Sequence, residues 1–185
     1  MIDIKELEVF FININKYLEK EEIKEIFEKN LKILEGAKIT ILDENDIGVS
    51  YFLNLFDVKN HFSHLCDYIK YYYLTNTDSE YCLYIDLDLL INKEMIDFIL
   101  NNPNNFYVQK GGISSLLFTQ KEKNYEFQKV FKEMIEFGFD KYFELGGDKY
   151  YMDFYKEENK KLKEDFHLKY NTSKYESQNL KNLLK

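Results

Sequence analysis

The chain has 185 residues, and 25 basic residues against 33 acidic ones give it a net charge of −8. The length suits one domain with a sizeable core, while 45% hydrophobic and 17% aromatic residues exclude general disorder. The acidic balance argues against sequence-independent binding of nucleic acid, which needs an excess of basic residues over phosphate.

Every basic residue in the sequence is Lys, and there is no Arg. A site in this chain therefore has no guanidinium group with which to bind a phosphate or a carboxylate through two parallel hydrogen bonds. Any phosphate chemistry must use Lys, backbone N–H groups or a metal ion. The absence of both Arg and Trp is explained most simply by an AT-rich genome.

Two cysteines, Cys66 and Cys82, are too few for a disulfide framework or a zinc site, which favours a reducing, cytoplasmic setting. The N-terminus lacks the basic and apolar regions of a signal peptide, and the apolar runs are shorter than a membrane span. We therefore expect a cytoplasmic protein. A Lys- and Glu-rich segment over residues 156–163 most simply forms a solvated helix face, and attraction to the inner face of the membrane is a weaker expectation.

The first part of the chain alternates between strand and helix patterns. Residues 7–14 are β-branched and aromatic, which predicts a mostly buried strand. A helix is predicted over residues 17–34, because apolar side chains recur there every three to four residues, and Gly36 is expected to end it. Residues 37–42 predict a second strand, and a further helix is predicted to begin at residue 60 or 63 and to end at 74.

The pattern continues in the middle of the chain. Residues 81–87 form the strongest strand pattern of the sequence. Asn92 is expected to cap a helix that Pro103 terminates. Two further strands are predicted over residues 106–108 and 113–119, around a pair of glycines.

The last part of the chain is predicted to be helical over residues 124–137 and again from Asp148 onward. We expect residues 1–170 to form a single domain and residues 171–185 to be a polar tail. The alternation of strands and helices predicts an α/β domain of three layers with a mainly parallel sheet. In such sheets, ligands bind beyond the carboxyl ends of the strands.

Two carboxylates, Asp86 and Asp88, lie at the end of the strongest strand pattern. If the strand stays regular, they lie on one face about 7 Å apart, where they could hold a hard cation such as Mg²⁺ or Mn²⁺ and address one ligand. The simpler interpretation is that they end the strand and lead into the helix at Asn92. For an isolated Asp-x-Asp, that simpler interpretation is favoured.

The predicted helix before this strand favours a ligand-binding role for the two carboxylates, because Asp67 and Lys70 share one of its faces. The combined pattern resembles the GT-A glycosyltransferases with a D-x-D motif, such as bacterial capsule and lipo-oligosaccharide transferases and clostridial glucosylating toxins. The resemblance covers roughly residues 7–120. The matching residues, in order, are Asp67, Lys70, Leu74, Tyr84, Asp86 and Asp88.

Two features depart from the family pattern. Lys70 stands where the family has Arg, which keeps the charge but loses the planar fork of donors. Residues 77–80 replace a pair of glycines before the strand, and this connection is about three residues longer than in the family.

The resemblance implies a three-layer GT-A fold of the Rossmann-like kind and a metal-dependent hexosyltransferase. It would transfer a sugar from a nucleoside-diphosphate donor, expected to be a UDP-sugar, to a glycan or lipid-linked acceptor. It also implies that Asp86 contacts donor hydroxyls and the metal, and that Asp88 binds the metal, Mn²⁺ or Mg²⁺. The same resemblance places Asp67, Lys70 and Tyr84 at the donor sugar and nucleotide.

Some polar residues are weaker candidates. His167 occupies a region where related transferases place a third metal ligand, although a lone His on a charged helix is more often solvated. His61 and His64 are three residues apart, but at least one is expected to be a packed or surface residue. Asn13 and Asn15 could meet a base or ribose, while turn formation is the simpler expectation.

Two alternatives remain open. One is a phosphatase of the haloacid dehalogenase type, in which the first Asp of such a pair is the nucleophile. That family prefers Thr or Val where this chain has Leu90, and it places the motif near the start of the fold, whereas 85 residues precede Asp86 here. The other is a degenerate, non-catalytic transferase-like binding module, which the short length and the missing glycine pair favour.

Overall fold

The computed structural model describes residues 1–55, 62–103, 107–108 and 116–123, together with Lys132. Within them, one sheet contains five strands: β1 (Leu7–Ile12), β2 (Lys38–Leu42), β3 (Tyr81–Ile85), β4 (Tyr107–Val108) and β5 (Leu116–Gln120). The α-helices of the same residues are α1 (Glu21–Ile33), α2 (Ile47–Leu55), α3 (Phe62–Asn76) and α4 (Lys93–Asn101).

The strand order in the sheet is β2-β1-β3-β5-β4. Strand β1 is parallel to both of its neighbours, and β5 is antiparallel to both of its own, so four of the five strands run in one direction. The predicted α/β fold with a mainly parallel sheet is therefore confirmed. Strand β2 lies on one side of β1 in the sheet, and β3 lies on the other side of β1. The β1–β3 boundary is therefore a topological switch point, and open α/β sheets bind ligands at such points.

Two adjacent phenylalanines of β1 show that helices cover both faces of the sheet. The Phe10 ring lies 4.6 Å from the Tyr73 ring of α3, and the Phe11 ring lies 5.0 Å from the Phe27 ring of α1, measured between centroids. Successive strand side chains point to opposite faces, so α3 and α1 lie on opposite sides of the sheet. This three-layer arrangement explains why all six residues of β1 are buried.

The predicted boundaries of the first two elements shift by a few residues. Strand β1 ends at Ile12, two residues before the predicted end. The predicted helix begins with a separate 3₁₀ turn over Tyr17–Glu19, and α1 starts only at Glu21. At its other end the chain leaves α1 through Gly36, whose φ of +99° is a left-handed conformation that glycine adopts without steric cost.

Helix α2 was not predicted from the sequence. It is short and apolar on most sides, so its sequence lacks the alternation of polar and apolar positions that identifies an amphipathic helix. Gly48 lets α2 pack closely on α3, because a Cβ atom at this position would clash with the ring of Tyr72.

The remaining predictions divide into confirmed elements and those outside the described residues. Asn92 caps α4 as predicted, accepting a hydrogen bond of 2.8 Å from the N–H of Met95, and Pro103 follows the helix. The later helices, the domain end at residue 170, the tail 171–185 and His167 lie outside the described residues, apart from a helical Lys132. None of the described helices is long and apolar enough to cross a membrane.

Candidate functional site

The Asp-x-Asp pair lies at the switch point, just beyond the carboxyl end of β3. The strand ends at Ile85, and the N–H of Leu89 donates a hydrogen bond of 3.1 Å to the carbonyl of Asp86. The prediction of a strand through residue 87 is therefore wrong at its end, because this hydrogen bond turns the chain. Leu87 and Leu89 are buried, while Asp86 and Asp88 stay partly exposed.

Asp88 is bound by a residue from the other side of the switch point. The hydroxyl of Tyr17, in the 3₁₀ turn after β1, donates a hydrogen bond of 3.2 Å to Oδ2 of Asp88. Burial, followed by the negative charge of Asp88, raises the pKa of Tyr17 to about 12. The hydroxyl therefore remains a donor throughout the neutral range, and it connects the β1 end of the crevice to the β3 end.

Asp86 is bound by a tyrosine of its own strand. The hydroxyl of Tyr84 donates a hydrogen bond to Oδ1 of Asp86. Burial of Tyr84, and then the charge of Asp86, raise the pKa of this phenol well above its ordinary value. The ring of Tyr84 lies under the ammonium of Lys70, which is 4.6 Å from the ring centroid.

Behind this tyrosine, Lys70 and Asp67 form a buried ion pair. The Nζ atom of Lys70 lies 3.1 Å from Oδ1 of Asp67, and the side chains are 0% and 8% exposed. The structure thus brings Asp67, Lys70, Tyr84 and Asp86 into one continuous set of contacts. Because the Lys70 ammonium is fully enclosed, Lys70 can influence a crevice ligand in this conformation only through its neighbours.

A buried asparagine fixes the chain directly after Asp88. The amide Nδ2 of Asn30, in α1, donates a hydrogen bond of 2.8 Å to the carbonyl of Leu89. Its Oδ1 accepts a hydrogen bond of 3.0 Å from the N–H of Ile91. Helix α1 thereby holds the segment that positions Asp88. The sequence analysis missed this role. The signal that could have revealed it is a polar residue on the apolar face of a predicted amphipathic helix.

The loop after β1 is also held from several directions. Asn13 accepts a hydrogen bond of 3.0 Å from the N–H of Leu18, which confirms its expected turn-forming role. Asn15 and Lys16 both have a φ of 56°, which is left-handed backbone, and the N–H of Asn15 donates a 2.5 Å hydrogen bond to Glu44. Tyr17 follows directly, so this loop determines how Tyr17 approaches Asp88.

Cys66, on α3, lies near the same carboxylates. Burial, and then the negative charges of Asp86 and Asp67, raise the pKa of the Cys66 thiol to about 12. Cys66 and Cys82 are both free thiols. His64 lies on α3, but its side chain is outside the described residues, as is the whole of His61.

Asp86 and Asp88 are the two carboxylates that the sequence pattern assigns to a cation. In the part of the chain that the structure describes, no group of three His, Cys, Asp or Glu side chains could hold a metal. Mg²⁺ is usually bound by one or two carboxylates and completes its coordination with water and substrate phosphates. Oδ1 of Asp88 accepts no hydrogen bond from any described residue, so a ligand position is available. His167, the weaker candidate for a third ligand, is outside the described residues.

Of three comparisons with known proteins, the one with solved structures finds a similarity. No family model matches the chain, and a comparison with curated proteins finds no match. Among solved structures, the chain is similar to the crystal structure of the glycosyltransferase GlyE from Streptococcus pneumoniae TIGR4, with a TM-score of 0.43 and 16% identity. Its apo form superposes with a TM-score of 0.42 and the same identity. The match covers 70% of this chain and 37% of the GlyE chain.

Proposed function

We propose that this chain is a metal-dependent glycosyltransferase of the GT-A type, which transfers a hexose from a nucleoside-diphosphate sugar, favoured to be a UDP-sugar. One observation carries the proposal. Asp86 and Asp88 project from the carboxyl end of β3 at the switch point, with Tyr84 and the Asp67–Lys70 pair packed behind them in the order of the D-x-D motif.

In this proposal, Asp88 and Asp86 hold Mn²⁺ or Mg²⁺ against the diphosphate of the donor. The cation supplies neutralisation of the charge that develops on the departing nucleoside diphosphate. The composition supports this assignment, because a chain without Arg has no guanidinium for the same purpose. Asp86, held by the Tyr84 hydroxyl, also presents an acceptor to the hydroxyl groups of the donor.

The Asp67–Lys70 pair forms the donor-sugar side of the proposed site. Asp67, whose side chain is 8% exposed, accepts from sugar hydroxyls, while Lys70 orients this carboxylate from inside the core. The acceptor is a glycan or a lipid-linked saccharide. A lipid-linked acceptor is met at the inner face of the membrane, so a cytoplasmic location with peripheral membrane contact accompanies the proposal.

The test is a thermal-shift screen of UDP- and GDP-sugars, each with and without Mn²⁺. We expect one nucleotide sugar to raise the melting temperature when Mn²⁺ is present, and we expect Asp88→Asn to abolish that rise. Asp97→Asn is the matched control, because Asp97 is a half-exposed carboxylate on α4 that pairs with Lys93. The control should keep the full response.

A second measurement separates an enzyme from a binding module. Release of the free sugar or its transfer, lost in Asp88→Asn with an unchanged circular dichroism spectrum, supports the enzyme. Nucleotide-sugar binding without turnover against any acceptor supports the non-catalytic module instead. If no sugar nucleotide shifts the melting temperature with Mn²⁺, the transferase proposal is wrong.

A further inference from the structure

We infer that Tyr17 is a positioning residue that orients the Asp88 carboxylate for divalent-cation binding. This inference rests on the proposed function, because it assigns a partner to the carboxylate that the proposal gives to the metal. Neither the Asp-x-Asp motif nor the helix that precedes it includes Tyr17, which lies 71 residues away from Asp88 in the chain.

The contact itself leaves one carboxylate oxygen available. The Tyr17 hydroxyl donates a hydrogen bond of 3.2 Å to Oδ2 of Asp88, and Oδ1 accepts no hydrogen bond from any described residue. A donor on one oxygen fixes the rotation of the carboxylate plane and presents the other oxygen in a set direction. Hydrogen bonds of this kind to metal-binding carboxylates commonly determine their orientation and metal affinity.

The loop that carries Tyr17 is built to hold it in place. Two successive residues, Asn15 and Lys16, have left-handed backbone, which is uncommon for residues other than glycine and which Asn adopts more readily than Lys. Two hydrogen bonds hold the loop in this conformation. The Glu44 side chain accepts one from the N–H of Asn15, and the Asn13 side chain accepts one from the N–H of Leu18. Backbone strain that the surroundings hold in place is characteristic of functional sites.

The ring of Tyr17 is held as well as its hydroxyl. The ammonium of Lys20 lies 4.3 Å from the centroid of the Tyr17 ring, which is a cation–π contact. Tyr17→Phe would keep the ring and this contact, and would remove only the hydroxyl. The substitution therefore isolates the hydrogen bond to Asp88 without emptying the space that the side chain fills.

The experiment measures Mn²⁺ affinity by electron paramagnetic resonance of the free ion, in the wild type, in Tyr17→Phe and in Tyr51→Phe. Tyr51 is a matched control, since it is 58% exposed on α2 and its hydroxyl makes no hydrogen bond to the described residues. We expect Tyr17→Phe to weaken Mn²⁺ binding about tenfold. Tyr51→Phe should match the wild type.

A second readout separates positioning from a general structural role. The affinity for the metal-free nucleoside diphosphate should be the same in Tyr17→Phe and in the wild type, because only the orientation of Asp88 is changed. Loss of metal-free nucleotide affinity would overturn the inference and make Tyr17 a ligand-contacting residue. Unchanged or tighter Mn²⁺ binding in Tyr17→Phe would also overturn it.

The two proposals fail in different ways. If the wild type binds a sugar nucleotide with Mn²⁺ and Tyr17→Phe binds Mn²⁺ equally well, the inference on Tyr17 is wrong and the proposed function stands. If the wild type binds neither Mn²⁺ nor any sugar nucleotide, both are wrong.

Discussion

The ammonium of Lys70 lies 3.1 Å from the carboxylate of Asp67 inside the protein, and the Lys70 side chain is 0% exposed. A charged group removed from water is costly unless a partner compensates for it. This pair therefore makes Lys70 sensitive to substitution even before any ligand is considered. It also places the charge next to Tyr84, whose hydroxyl binds Asp86.

Lys70→Met is expected to lower the free energy of unfolding by about 3 kcal/mol, because the ionised Asp67 would lose its buried counter-charge. Urea denaturation measures this change. The double variant Asp67→Asn with Lys70→Met should recover part of the loss, since both members of the pair are then neutral. Lys93→Met removes an exposed ion pair with Asp97 and should change stability by about 0.5 kcal/mol or less. Equal effects of Lys70→Met and Lys93→Met would contradict the importance of the buried pair.

Glu8 predicts how stability depends on pH. This buried carboxylate lies at the amino end of β1, where Lys38 and Cys82 are its register partners on the neighbouring strands. Burial by itself would raise the pKa of Glu8. The pKa is instead lowered from 4.5 to about 2 by hydrogen bonds from Lys38, Ser79, Thr40 and Tyr73.

Because the pKa of Glu8 is lower in the folded than in the unfolded chain, its stabilisation is complete above about pH 4.5 and is lost as the pH falls toward 2. The contribution is on the order of 3 kcal/mol. Urea unfolding of wild type and Glu8→Gln should therefore differ at pH 7 and converge near pH 2. Glu35→Gln is the control, since this exposed side chain makes no hydrogen bond to the described residues. A difference between wild type and Glu8→Gln that stays constant with pH would contradict the prediction.

The two hydrogen bonds of Asn30 connect helix α1 to the segment that follows Asp88. Asn30→Leu should lower the free energy of unfolding by about 2 to 4 kcal/mol, because the carbonyl of Leu89 and the N–H of Ile91 would stay buried without a partner. Hydrogen exchange should accelerate at the Ile91 amide. Asn101→Ala removes a hydrogen bond on the exposed side of α4 and should leave the exchange at Ile91 unchanged. Unaltered protection of Ile91 in Asn30→Leu would show that other contacts hold this segment.

The two cysteines should react slowly with thiol reagents at pH 8. Only the thiolate is a nucleophile, and burial raises the pKa of both Cys66 and Cys82 to about 12. The charge of Asp86 adds to the effect at Cys66, so Asp86→Asn should speed its modification while that of Cys82 stays the same. Mass spectrometry of iodoacetamide-treated protein measures each site separately. Rapid modification of both cysteines in the folded wild type would contradict the prediction.

Local sequence signals predicted much of the fold. The β-branched and aromatic residues of β1 and β3 identified both strands, and the capping role of Asn92 was correct because a cap depends only on the next few residues. Boundaries were less accurate. Strand β3 ends two residues early because the carbonyl of Asp86 closes a turn with Leu89, a contact that competes with further pairing in the sheet.

The candidate site was likewise predicted only in part from the sequence. Asp86 and Asp88 could be found from the sequence, because two carboxylates after a buried strand are a local pattern. The contacts of Tyr17 with Asp88 and of Asn30 with Leu89 and Ile91 could not, because they join segments about 60 to 70 residues apart in the chain.

The pattern of amino acids was enough to predict alternating strands and helices and two carboxylates after the strongest strand, and it offers neither carboxylate an Arg. Three-dimensional packing was needed to show that Lys70 is enclosed, that Tyr17 binds Asp88 and that α1 anchors the segment after Asp88. These contacts depend on the strand order β2-β1-β3, which brings the ends of β1 and β3 side by side. Pairing between distant strands depends on the packing of the whole sheet, and no short segment of the sequence encodes it.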